Sequence, residues 1–104
     1  MDYKIVVTVD AEADLENFIL YLLIEKKNEQ AAKNLLSDFE ETKDMLSRIA
    51  SSLRYCENPE LKKLGYRRIN FVRHRYFMIY RIEEDLVIID NIFHELQDYE
   101  KHLC

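Results

Sequence analysis

A run of alternating apolar residues carries several cations and ends near a histidine. In residues 65–100, GYRRINFVRHRYFMIYRIEEDLVIIDNIFHELQDYE, Arg67, Arg73 and Arg75 lie on β-type sequence, and His94 stands where the last apolar run stops. Lys62 and Lys63 sit just ahead of the same stretch. Clustered guanidinium and ammonium groups suit a phosphate-bearing or strongly acidic partner, because like charges on one surface focus the field. A positive sheet edge also serves simply to keep strands of different molecules from pairing, and charge alone leaves both readings open. Tyr66, Tyr76 and Tyr80 have rings of the kind that stack on bases. Tyr76, Met78, Tyr80 and Ile82 nevertheless share one strand parity, which predicts core packing. His74 and His102 read as turn and tail residues. No His/Cys spacing fits a metal site, and Cys56 and Cys104 are expected as free thiols.

The basic character is local. Residues 54–81 hold eight Lys/Arg against two Asp/Glu, a charge of +6, whereas residues 1–53 hold six against eleven and residues 82–104 one against seven. The net charge of −5 therefore conceals a cationic island. A length of 104 residues predicts one domain spanning 1–104, with a modest core and no need of staples. One glycine and one proline exclude Gly-rich phosphate loops, collagen-like repeats and low-complexity linkers. No apolar run reaches the roughly 18 residues of a membrane span. The start, MDYKIVVTVDAEADL, lacks the pattern of a signal peptide, so a cytoplasmic protein is expected, with neither membrane nor small-molecule cofactor.

Periodicity supplies the elements that must carry these groups. Residues 3–9 form a β-branched run ending at Asp10, a candidate N-cap, and Leu15, Phe18, Ile19 and Leu22 then follow helical spacing to about Lys26. Asn28 can cap a longer helix whose stripe runs through Ala32, Leu35, Leu36, Phe39, Leu46, Ile49 and Leu53. A two- to three-residue break between them predicts a helical hairpin. Residues 55–64 read as the only sizeable loop, with a turn at Asn58–Pro59. The period then falls to two, predicting strands over 66–72, 75–82 and 86–93, joined by hairpins. Residues 95–102 close as a short helix. The order β-α-α-β-β-β predicts an α+β domain, a helical hairpin on one face of a small antiparallel sheet and the other face open.

This order, together with AEADLENFILYL, GYRRINFVRHRYFMIYRI and VIIDNIFHELQDYEKHL, resembles the RelE/ParE superfamily of bacterial type II toxin–antitoxin toxins over nearly the whole chain. The resemblance implies a growth-inhibiting toxin silenced by a cognate antitoxin. RelE-like members cleave mRNA on the ribosome without metal, whereas ParE-like members inhibit DNA gyrase and are not nucleases; fold does not separate them. By resemblance His94 falls where some nucleases have a catalytic histidine, and imidazole exchanges protons near neutral pH. An anchoring role in the final turn is equally open to it.

Metal-independent cleavage needs an acid, a base and cations on the phosphate. The nuclease reading, taken slightly ahead, assigns His94 and Arg75 to catalysis, and Lys62, Lys63, Arg67 and Arg73 to RNA or to an acidic antitoxin. Three departures from the family pattern oppose it. Phe77 replaces a nuclease arginine, Glu95 replaces a tyrosine after the histidine, and Leu96 stands where many ParE-like chains have arginine. A gyrase inhibitor, or a member that binds antitoxin without toxicity, is the alternative.

Overall fold

The computed structural model describes residues 2–96. Strand β1 (Lys4–Val7) leads into helix α1 (Val9–Leu20), which continues as one π-helical turn at Tyr21–Glu25. Helix α2 (Glu29–Ile49) returns antiparallel to it and ends in a 3-10 turn, Ala50–Ser52. A short helix α3 (Pro59–Lys63) precedes strands β2 (Arg67–Asn70), β3 (Tyr76–Glu83) and β4 (Leu86–His94). The expected α+β class and helical hairpin are present.

Caps explain where the helices begin. The first is Thr8 rather than Asp10: its Oγ1 accepts the Ala11 N–H at 3.1 Å, and its hydroxyl hydrogen is directed at the Ile89 and Asp90 carbonyls, 3.0 and 3.1 Å away. One threonine thus both starts α1 and ties it to β4. Asp10 sits in the first turn, where the helix dipole favours it. Asn28 caps α2 as expected, accepting the Ala31 N–H at 2.9 Å. Asn58 caps α3 with Pro59 in its first turn, so the segment expected as loop contains a helix. Gly65, at φ 86°, supplies the left-handed residue that ends it.

The strand order is β1-β4-β3-β2. The three C-terminal strands are antiparallel neighbours, as expected, while β1 joins parallel to β4 with Val6 beside Ile88. The expected strand over 66–72 stops at Asn70, so residues 71–75 form a wider turn. Register shifts where Ile79 faces Asn91 and Tyr80 faces Ile89, leaving Asp90 as a bulge. The bulge changes parity, so Val87, Ile89 and Ile92 all face the helices. Beyond the end of β1, Asp14 of α1 accepts the Ile92 N–H at 2.9 Å and the Asn91 amide at 3.2 Å.

The main core lies between hairpin and sheet: Leu35, Leu46, Met78, Tyr80, Val87 and Ile89 are essentially inaccessible. Tyr80 donates its hydroxyl to Ala50 O at 2.7 Å, and burial pushes its phenol well above the ordinary range. The opposite sheet face is not bare. Cys56, Phe77 and Ile79 are buried there against Leu61, Tyr66 and Phe93. The segment from Tyr55 to Tyr66 covers this face because the short helix α3 folds its Leu61 inward. Cys56 is disulfide-bonded rather than the free thiol expected, and Cys104 lies outside the described residues. The closing helix expected over 95–102 falls mostly outside them as well.

Candidate functional site

The turn between β2 and β3 is held from below by α2. Asp38 is 1% exposed, yet its carboxylate is fully engaged. Its two oxygens accept the Arg73 backbone N–H at 3.2 and 3.1 Å, and Oδ2 accepts the His74 N–H at 2.9 Å. His74 Nδ1 lies 2.6 Å from the same oxygen. One turn along, Thr42 donates to Asp38 O at 2.7 Å and accepts the Val72 N–H at 3.2 Å. Three consecutive backbone N–H groups of a strandless turn thus find partners on one helix, as buried polar groups must. The Arg73 guanidinium pairs with Glu41, whose hydrogen bond and charge raise its pKa.

His94 stands opposite Tyr76 in the ladder, the rings nearly perpendicular with centroids 4.9 Å apart. Tyr76 is itself edge-on to Phe18 of α1 at 4.9 Å, and burial raises its phenol pKa. The bulge at Asp90 is what turns His94 toward the helix side, in line with Ile92. His94 Nδ1 accepts the Leu96 N–H at 3.2 Å, which anchors the turn after β4. Arg75 contributes its carbonyl to the same corner, accepting the Glu95 N–H at 2.9 Å. Its guanidinium is exposed and makes no ion pair among the described residues.

The other nominated cations lie elsewhere. Arg67 faces Tyr80 at the start of β2, the end remote from the 71–75 turn. Its guanidinium donates to Leu53 O, to Ser51 O at 3.2 Å and to Tyr55 Oη at 2.9 Å, and lies 4.0 Å above the Tyr55 ring. Arg67 therefore closes the carbonyl end of α2 and its 3-10 turn. Lys62 and Lys63 are exposed in the last turn of α3, near Arg67 in sequence and away from the corner. The structure brings the Arg75 backbone beside His94 through the Glu95 N–H, turns the Arg73 guanidinium to Glu41 on α2, and separates Arg67, Lys62 and Lys63 from both. Arg67 and Arg73 do not share a strand face, because Arg73 is in the turn.

Two residues escaped the sequence reading. Asp38 falls on the buried stripe with Leu35, Phe39, Thr42 and Leu46, and a carboxylate at such a position is the signal that identifies it. Arg68 faces Ile79 and so projects on the Phe77 side of the sheet. Its guanidinium lies 3.8 Å from the Phe77 ring centroid, donates to Asn70 Oδ1 at 2.9 Å and reaches to 4.0 Å from Glu95. Asp38, Glu41 and Glu95 offset the arginines and leave this corner close to neutral. No group of His, Cys, Asp and Glu among the described residues could hold a metal, and no helix among them is long and apolar enough to cross a membrane.

This fold has relatives. The chromosomal ParDE TA system from P. aeruginosa superposes with a TM-score of 0.69 at 20% identity, over 88% of this chain and 95% of that one. The toxin–antitoxin complex RelBE2 from Mycobacterium tuberculosis gives 0.62 at 19%, over 90% and 99%. At such identities the likeness is one of fold. Comparison with curated proteins gives no match. The family model of the ParE toxin of the type II toxin–antitoxin system parDE matches residues 5–99. With nearly the whole described fold inside that match, the chain belongs to the ParE toxin family of type II toxin–antitoxin systems.

Proposed function

We propose that this toxin, a single domain, is held silent by a cognate antitoxin and arrests growth by binding a protein target, as ParE-like members do with DNA gyrase. The observation that carries this reading is the dispersal of the expected cleavage set. Arg67 is committed to backbone carbonyls, Lys62 and Lys63 lie at the far end of β2, and Phe77 fills a buried site where a nuclease arginine is expected. Electrostatic stabilisation of a phosphorane-like transition state needs cations converging on one point, and here Arg73 is already paired with Glu41. Both structural relatives are toxin–antitoxin pairs, which supports an antitoxin partner here.

A supercoiling assay tests the target. Purified toxin added to DNA gyrase with ATP is expected to inhibit supercoiling, and added antitoxin to restore it. Full supercoiling at stoichiometric excess of a folded toxin contradicts gyrase as the target.

Ribosome-dependent mRNA cleavage remains the second reading, favoured by one feature: His94, Tyr76 and the Arg75 backbone meet at one corner. In that reading His94→Ala abolishes growth arrest and leaves antitoxin affinity unchanged. Arrest that survives the substitution removes His94 from catalysis, and absence of any arrest at good expression favours a member that binds antitoxin without toxicity.

A further inference from the structure

The two histidines among the described residues use the same ring atom in opposite ways. His74 Nδ1 lies 2.6 Å from Asp38 Oδ2, and the Asp38 carboxylate already serves as acceptor to two backbone N–H groups. Nδ1 therefore carries the ring hydrogen, and the neutral imidazole keeps its lone pair on Nε2, on the side of the ring away from Asp38. His94 is the reverse case. Its Nδ1 accepts the Leu96 N–H at 3.2 Å, so the hydrogen sits on Nε2 and the one lone pair is engaged. The His74 side chain is 36% exposed, while the Asp38 side chain that orients it is 1% exposed. A buried carboxylate that fixes a half-exposed imidazole is an arrangement that prepares a histidine for nucleophilic attack.

His74 lines an open cleft of about 420 Å³ between α2 and the 71–75 turn. Arg73 and Glu41 stand on its rim as an exposed ion pair, and Asn34 and Ser37 give it neutral hydrogen-bonding groups. An exposed pair of this kind costs little to break, and a guanidinium fits the bidentate geometry of a phosphoryl group. We propose that His74 is a modification site, the acceptor of a phosphoryl group from a small acyl phosphate. The Nε2 lone pair attacks phosphorus, the P–O bond to the acyl oxygen breaks, and the carboxylate leaves; neither a proton nor an oxidant is needed. The ring becomes a phosphoimidazolium whose positive charge lies against Asp38, and Arg73 turns from Glu41 to the new phosphoryl oxygens. The group brings about two negative charges to a turn that otherwise presents arginines, so the modification opposes an acidic partner of Arg73 and Arg75. The step uses neither His94 nor any target, so it stands apart from the choice between gyrase and mRNA.

The test incubates the folded full chain with acetyl phosphate and follows phosphoryl incorporation by intact mass, with the site mapped under alkaline conditions that preserve phosphohistidine. One phosphoryl group is expected, on His74, with His94 labelled about tenfold more slowly or not at all. His74→Gln is expected to remove it. Asp38→Asn, which keeps the shape of the side chain, is expected to slow labelling about tenfold or more by releasing the tautomer. Because that variant can also lose the turn, heteronuclear NMR of the ring nitrogens reads the tautomers in the unchanged chain. Hydrogen on Nδ1 of His74 and on Nε2 of His94 is expected. No phosphoryl incorporation, another histidine labelled as fast as His74, or an Nε2–H tautomer at His74 overturns the proposal. A folded Asp38→Asn chain that labels at the original rate overturns it too, as does acetylation of lysines without phosphorylation.

Discussion

The two flanks of α2 handle water in opposite ways. On one, Asp38 and Thr42 are buried and bonded to the backbone N–H groups of Val72, Arg73 and His74. On the other, Phe39 lies at the bottom of an open groove, with Glu40 and Lys43 on its rim. A buried carboxylate is tolerated only when its charge is met by donors of fixed geometry, so the first flank holds one conformation of one turn. Apolar surface has no such directional demand, so the second flank imposes no single arrangement on what lies beside it. On α2, polar contacts fix one turn of the chain, whereas part of the apolar seam around Phe39 stays open to solvent.

Breaking the polar flank should have the largest effect. Asp38→Ala strands the N–H groups of Arg73 and His74 and is expected to cost about 3 kcal/mol in urea unfolding; a shift near zero removes Asp38 as the fastening of the turn. Thr42→Val deprives the Val72 N–H of its acceptor while keeping volume, for about 1 kcal/mol by the same measurement. Leu20→Ser on the apolar flank should leave stability within about 0.5 kcal/mol, and a larger loss would mean that the groove belongs to the core. Arg73→Ala removes an exposed pair with Glu41 and should leave the unfolding midpoint in place. If Arg73→Ala destabilises as much as Thr42→Val, the division between shaping and surface charge fails.

Much of this was legible in the sequence. Helical spacing from Leu15 to Leu22 and from Ala32 to Ile49, and the alternation through Tyr76, Met78 and Tyr80, reflect burial on one face, which each residue reports locally. What escaped depends on partners distant in sequence. Thr8 outcompetes Asp10 as a cap because its hydroxyl also reaches β4, 81 residues away. The Asp90 bulge reverses the parity that would have put His94 on the other face, and no local rule announces a bulge at an aspartate. α3 was hidden by its length, although Asn58–Pro59–Glu60 is a cap followed by a first-turn proline. Arg67 and Arg73 look alike in a charge count; only the fold separates an arginine bound to carbonyls from one bound to Glu41.

The most direct test is to induce the toxin in bacteria and map cellular mRNA ends within minutes. Growth arrest is expected with intact mRNA, a DNA-damage response and no dependence on His94. New ends at translated codons, lost in His94→Ala, would contradict it and assign the corner around His94, Tyr76 and Arg75 to RNA cleavage.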